Sequence, residues 1–286
     1  MFRDRGDNKV DSVSKKRYEI SVIIPTYNRA DHIKKSVESV LAQTGQGELF
    51  DIIEVLVIDD GSTDNTDAVV TSIADERIRL YRMDVNSGAA AARNKGVDIA
   101  IGEWIAFQDS DDVWHEDKLK KQVEYLKSQP GCSMVSHPIR AYFEDGSDYV
   151  SAIAEGDDIV SLLAKRNYYG TPTMLIKREA FNDIGGFDIE LNALEDWEFA
   201  LRFAAKYQIG MVDEALIDSD MILEGVSADA SAYYESRCKM IAWNRFLLIQ
   251  HDCFNEAVRS LLTHAQKNDV LDSVGKMFEL ILGEEL

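Results

Sequence analysis

The sequence predicts an α/β protein: a mostly parallel, doubly wound sheet followed by a C-terminal helical extension. Two observations lead there. Short apolar, β-branched runs alternate with helix-period segments through the first 130 or so residues, the pattern of parallel strands joined by right-handed crossovers. From about Ser231 onward, amphipathic helix patterning replaces the strand signals.

The elements follow in order. Residues 1 to 17 are polar and charged and are expected to form a disordered tail. Glu19 to Ile24 reads as a buried strand stopped by Pro25. Asp31 to Gln43 carries Ile33, Val37, Val40 and Leu41 at helical spacing, with Asp31 as the expected N-cap. Ile52 to Ile58 is a second strand, ending at Asp59-Asp60-Gly61-Ser62, and Thr66 to Ala74 a short helix. Arg77 to Met83 alternates like a half-exposed strand, and the Ala-rich stretch Gly88 to Ala100 is helical. Trp104 to Phe107 is a fourth strand ending at Gln108-Asp109-Ser110-Asp111-Asp112, and Asp117 to Ser128 an amphipathic helix. Beyond residue 131 the rhythm loosens. Strands are expected at Cys132 to Ser136 and Met174 to Ile176, a loop or hairpin at Phe143 to Gly156, and helices at Asp158 to Arg166 and Glu195 to Tyr207.

Composition excludes several functions. The chain has 286 residues, 51 acidic against 31 basic, for a net charge of -20. Such a surface repels nucleic-acid phosphates, so no nucleic-acid partner is expected. Three scattered cysteines make neither a metal pattern nor a disulfide framework, which suits a reducing compartment. The N-terminal residues lack the apolar core of a signal peptide, and no run approaches the ~18 apolar residues of a membrane span. A cytoplasmic protein is expected, with peripheral contact at the inner membrane face left open.

Ligands of open parallel sheets bind at the carboxyl ends of the strands, and the acidic clusters fall at two of those ends. Asp109, Asp111 and Asp112 would repel one another unless a hard cation neutralised them. Mg²⁺ or Mn²⁺ commonly takes one or two carboxylates plus substrate phosphates. The plainer reading is an acidic turn before the next helix. At Asp59-Asp60, a carboxylate could accept a hydrogen bond from a base or ribose, while Gly61 and Asp64 suit a turn and a cap. A receiver-type acid pocket rivals each cluster taken singly, but about 120 residues suffice for such a domain. Arg93 could reach a diphosphate with its planar fork or simply pair with one of the many acids. Glu195-Asp196 opens a helix, where acids favour the dipole; either could instead serve as a general base. Trp114 and Trp197 are more often core than sugar platforms. Arg202 could reach a phosphate or pair with Glu198. Gly185 and Gly186 read as a helix C-cap.

Taken together, Ser21-Val22-Ile23-Ile24-Pro25-Thr26-Tyr27-Asn28-Arg29, Val57-Ile58-Asp59-Asp60-Gly61-Ser62-Thr63-Asp64, Ala92-Arg93-Asn94-Lys95-Gly96, Asp109-Ser110-Asp111-Asp112 and Leu194-Glu195-Asp196-Trp197 closely resemble glycosyltransferase family 2, in the family's order and spacing. The resemblance runs over roughly residues 18 to 215. It implies the A-type nucleotide-diphospho-sugar transferase fold, with a catalytic domain at 18–225 and a helical extension at 226–286. The nucleotide-binding half would span about 18–130 and the acceptor half about 131–225.

The activity so implied is inverting transfer of a hexosyl or N-acetylhexosaminyl group. The donor would be a nucleoside-diphosphate sugar, most often a UDP-sugar. The acceptor would be a hydroxyl on a glycan, lipid-linked glycan or glycoprotein. Pro25, Thr26, Tyr27, Asn28 and Arg29 would border the base, and Asp60 would hydrogen-bond it. Arg93 would approach the nucleotide, and Asp109, Ser110 and Asp111 would lie against the ribose and diphosphate. Asp109, Asp111 and Asp112 all stand as candidate ligands for Mn²⁺ or Mg²⁺. Asp196 would be the base, with Glu195 assisting. The Gln-x-x-Arg-Trp motif of the family's processive synthases is absent, so addition of single sugars in polysaccharide biosynthesis is expected. A silent nucleotide-binding subunit that partners another transferase is the alternative. The C-terminal helices would pack back over the acceptor groove or join copies of the chain.

Overall fold

The computed structural model describes residues 17–143, 145–156, 158–220 and 230–282. Most of the expected tail therefore lies outside the described residues. Arg17 is described and anchored: Nη1 donates to the Gly47 carbonyl, and Nε pairs with Asp51 at 2.9 Å.

The N-terminal half alternates as its patterning predicts. Strand β1 (Tyr18–Thr26) leads to helix α1 (Ile33–Leu41), β2 (Phe50–Asp59) to α2 (Thr66–Thr71), and β3 (Ile78–Arg82) to α3 (Ala89–Ile99). Then come β4 (Trp104–Phe107), the short β5 (Val113–Trp114), α4 (Lys118–Ser128) and β6 (Cys132–Ser136). The second half holds a hairpin of β7 (Arg140–Tyr142) and β8 (Asp148–Val150), then α5 (Ile159–Leu163), a 3-10 turn at Thr171–Thr173, and β9 (Leu175–Lys177). It continues with α6 (Arg178–Ile184), α7 (Glu195–Ala204), β10 (Gln208–Met211) and β11 (Ile217–Asp220). The extension is α8 (Ala230–Trp243), α9 (Arg245–Gln250), α10 (Phe254–Lys267) and α11 (Leu271–Leu282).

The main sheet has seven strands in the order β10-β6-β9-β4-β1-β2-β3. All neighbours are parallel except β9, which runs antiparallel to β4 and β6. A second sheet, β5-β11-β7-β8, stands beside it. The pleat divides the core in two. Val22, Ile24, Val55 and Val57 pack with α1 and α4 on one face; Ile23, Ile58, Phe107 and Ile176 pack on the other with α3, α6, α7 and the extension. The approach of α3 depends on Gly96, where an added Cβ would lie 2.5 Å from Ile23 Cγ2.

Two local expectations are corrected. Pro25 does not stop β1; it pairs in register with Ile58 inside the strand. On the other flank, β4 pairs only with Ile20 to Ile23, so the ladder does not need the N–H that proline lacks. The N-cap position of α1 is His32, without a side-chain cap, not Asp31.

Candidate active site

The parallel pairing of β1 and β2 sets Thr26 beside Asp59, so both segments emerge side by side at the carboxyl edge. Tyr27 is 43% exposed there, while Pro25 and Thr26 are buried. Thr26 Oγ1 has no hydrogen-bond partner among the described residues. Asn28 takes φ +52°, a conformation asparagine tolerates. Its N–H donates to Ser62 Oγ at 2.9 Å, and its Oδ1 accepts from the Thr63 N–H at 2.8 Å. Arg29 is half exposed, with Nε 3.6 Å from the Asp111 carboxylate.

The two adjacent acids do different work. Buried Asp59 accepts the Ser62 N–H and pairs with Arg82 at 3.1 Å. Asp60 accepts the N–H groups of Ser87 and Gly88, at 2.8 and 2.7 Å, one on each oxygen. Gly88, at φ +88°, is the residue that leads into α3. Asp60 thus folds the loop ahead of α3, an arrangement the reading of it as a base contact did not foresee. Each oxygen retains a second lone pair.

The turn after β4 separates its three carboxylates by exposure. Ser36 Oγ donates to the Asp109 carbonyl, and the Asp112 N–H donates to the same carbonyl at 3.3 Å. Gln108 Nε2 donates to the Asp112 carbonyl. This winding buries Ser110 and Asp112 and leaves the Asp109 and Asp111 side chains 29% and 39% exposed. Asp112 is therefore the most covered of the three candidate ligands. Among the described residues, no three His, Cys, Asp or Glu side chains converge as a cage. A hard cation completed by substrate phosphates needs only one or two carboxylates. Asp111 and Asp109 fit that requirement.

Of the two readings of Arg93, the structure shows the pairing with acids. Arg93 does not present its fork to the cleft. The side chain is 7% exposed; Nη2 donates to Asp109 and Nη1 to Glu195, each at 2.7 Å. Burial works against its charge, but Asp109 and Glu195 outweigh burial and hold the guanidinium above its ordinary pKa. Arg93 is a strut joining the end of β4 to the start of α7, so acids 86 positions apart in sequence share one cation.

Helix α7 begins at Leu194, in the left-handed region at φ +63°. Asp196 Oδ1 accepts the Trp197 N–H at 2.6 Å and the Asn167 amide at 3.2 Å. Burial, then the neighbouring Glu195 charge, raises the Asp196 carboxyl from the ordinary 3.8 to about 7; the Trp197 N–H, Arg93 and Asn167 oppose the rise. A carboxyl near neutral pKa is poised to take a proton at physiological pH.

Trp197 and Trp114 are core residues, 4% and 3% exposed. Arg202 pairs with Glu198 and donates to the Ile184 and Gly186 carbonyls. Gly185 caps α6 at φ +89°.

Sequence reasoning missed the groups that brace α7. The indole N–H of Trp197 donates to the Leu163 carbonyl at 2.7 Å. Arg237 of α8 lies with its guanidinium carbon 3.7 Å from the Trp197 ring centroid and donates to the Ala164 and Lys165 carbonyls. Having no carboxylate partner among these contacts, it is pulled by burial down to about 10. Ser236 accepts the Ala193 N–H, and Asn244 donates to Glu198. The extension thus packs on α7 itself. Neither helical period nor composition marks Asn167 or Arg237.

A family model described as Glycosyl transferase family 2 matches residues 21–187. The chain belongs to this family. An uncharacterized glycosyltransferase of Haemophilus influenzae is 31% identical over 64% of the chain and 61% of its own length. A putative teichuronic acid biosynthesis glycosyltransferase of Bacillus subtilis, TuaG, is 36% identical over 58% of the chain and 64% of its own length. The chain thus spans less than two thirds of these relatives. Among solved structures, Staphylococcus aureus TarS 1-349 in complex with UDP-GlcNAc superposes with a TM-score of 0.63 at 23% identity, covering 78% of this chain and 65% of that one. The mannosyltransferase PcManGT of Pyrobaculum calidifontis, in complex with GDP-Man and Mn²⁺, gives 0.60 at 21% identity, covering 93% and 81%. These likenesses establish the A-type transferase fold. Among the described residues, no helix is long and apolar enough to cross a membrane.

Proposed function

We propose that the chain is an inverting glycosyltransferase that moves one sugar from a nucleoside-diphosphate donor to an acceptor hydroxyl. The observation that carries this reading is the Arg93 strut, which holds two carboxylate groups of different character on one cleft. Tyr27 and Asp60 border the base and ribose. The open carboxylates of Asp109 and Asp111 would hold a divalent cation, which when bound stabilises the negative charge on the departing diphosphate. Asp196 removes the acceptor proton as the acceptor oxygen attacks the anomeric carbon from the face opposite the leaving group. Direct displacement inverts that carbon. Glu195, fixed by Arg93, raises the proton affinity of Asp196 through its own negative charge.

The teichuronic acid role given for TuaG supports a glycan acceptor, and the UDP-GlcNAc complex of TarS supports a UDP-linked hexose or N-acetylhexosamine as donor. A screen of UDP- and GDP-sugars for donor hydrolysis, with and without Mn²⁺, tests the donor and the cation together. Asp196→Asn should lower transfer at least ~10³-fold while leaving nucleoside-diphosphate affinity unchanged in a calorimetric titration. Retained transfer in that variant rules out Asp196 as the base. Absence of transfer by the wild type with every donor would favour a silent, nucleotide-binding subunit instead.

A further inference from the structure

Asn167 lies in the loop between α5 and the 3-10 turn, and the two ends of its amide have different jobs. Oδ1 accepts the N–H of Tyr169 at 3.0 Å. With that end engaged, Nδ2 faces Asp196 Oδ1 at 3.2 Å. The reversed amide would set its oxygen against a carboxylate oxygen and its NH₂ against an N–H, exchanging two hydrogen bonds for two repulsions. Asn167 is therefore a one-way donor toward Asp196.

Oδ1 of Asp196 also accepts the Trp197 N–H at 2.6 Å. Both donors carry hydrogens that cannot be withdrawn, so Oδ1 is held as an acceptor whatever the charge of the carboxyl. A proton arriving on Asp196 must settle on Oδ2. The same segment is fastened from two sides. Trp197 Nε1 donates to Leu163, and Arg237 donates to Ala164 and Lys165 while stacking on Trp197. Donor loop and carboxylate thus move as one piece.

We infer that Asn167 is a positioning residue that designates Oδ2 of Asp196 as the oxygen that takes the acceptor proton. This inference rests on the reading of Asp196 as the base. In the step, the acceptor O–H proton passes to Oδ2 and the acceptor oxygen bonds to the anomeric carbon. The electron pair of the old glycosidic bond leaves with the diphosphate. Glu195 is instead tied by its Oε1 to the Arg93 strut. The charged groups acting on Asp196 are Glu195, which raises its pKa, and Arg93, which lowers it; the Asn167 amide also lowers it.

The test uses the full chain and the donor found by screening. Asn167→Ala should lower kcat about tenfold, the scale of one hydrogen bond to a charged group, with donor KM within about twofold. Because the lost donor favoured the ionised carboxylate, the acid limb of the kcat–pH profile should move to higher pH. Asn167→Asp keeps the shape but sets a second carboxylate against Asp196. It should move the acid limb further and cost about a hundredfold at pH 7. Should Asn167→Ala fail to fold in a melting scan, the isosteric variant decides. An unmoved acid limb and wild-type kcat, beside an inactive Asp196→Asn, would overturn the inference while sparing the base assignment. A loss of kcat with an unmoved limb would mark Asn167 as merely structural and overturn it too. Full transfer by Asp196→Asn would instead remove the reading on which it rests.

Discussion

The acidic turn after β4 and the acidic start of α7 share one arginine, yet differ in nearly everything else. Asp109 and Asp111 stand partly in water, with Asp111 meeting, among the described residues, a long contact from Arg29. Asp196 lies against the loop of Asn167 and beside a buried tryptophan, and Glu195 beside it is held by Arg93. The difference is chemical economy. A carboxylate that is to meet a cation must remain ionised and reachable, which water favours. One that is to take a proton near neutrality must be partly dried. One fold supplies both environments by ending a strand in the open and starting a helix under cover.

Three changes would break or sharpen this contrast, beginning with the largest effect. Arg93→Met removes the strut and leaves Asp109 and Glu195 without their shared cation. It should abolish measurable transfer, at least ~10³-fold, and lower stability by about 1–3 kcal/mol, less than for a fully buried pair because both acids keep some water. Equal activity in the variant would show that the two acid groups act independently. Asp111→Asn should cost roughly 10²-fold in kcat and shift the Mn²⁺ or Mg²⁺ concentration for half-activity upward, with little change in melting temperature, since the side chain is open to water. An unchanged metal titration would move the cation to Asp109 alone.

The smallest effect concerns pH and stability. The folded pKa of Asp196 is raised to about 7. Its protonated form is therefore favoured by folding, and that contribution is full below the ordinary carboxylate value and is lost as pH rises through 7. Asp196→Asn should match wild type near pH 4 and be the more stable of the two at pH 8. Equal stability at both pH values would mean that the carboxyl is better hydrated than its surroundings imply.

Much of the N-terminal half was legible in the sequence, because β-branched runs and helix-period stripes report directly on a sheet covered on both faces. Pro25 was misjudged because the rule that proline ends a strand assumes a partner on both flanks, and β4 is too short to require one there. The acids were legible as a set; their individual roles were not. Asp60, Asp109, Asp111 and Asp112 differ through exposure and backbone partners, which depend on how one turn winds. Arg93 read as either a phosphate contact or the partner of an acid because adjacency to Glu195 arises only when α3 and α7 are packed together. Asn167 and Arg237 were invisible for the same reason: each contributes through a tertiary contact made by an ordinary polar residue.

The stacking of Arg237 on Trp197 also constrains descent. An aliphatic residue at 197 would strand a guanidinium whose other described partners are carbonyls and hydroxyls, and a neutral residue at 237 would uncover an indole that also anchors Leu163. Neither position is free to drift alone. In relatives that keep this helical tail the two should vary as a couple, and a tail exchanged between relatives should function only when its arginine finds a tryptophan waiting.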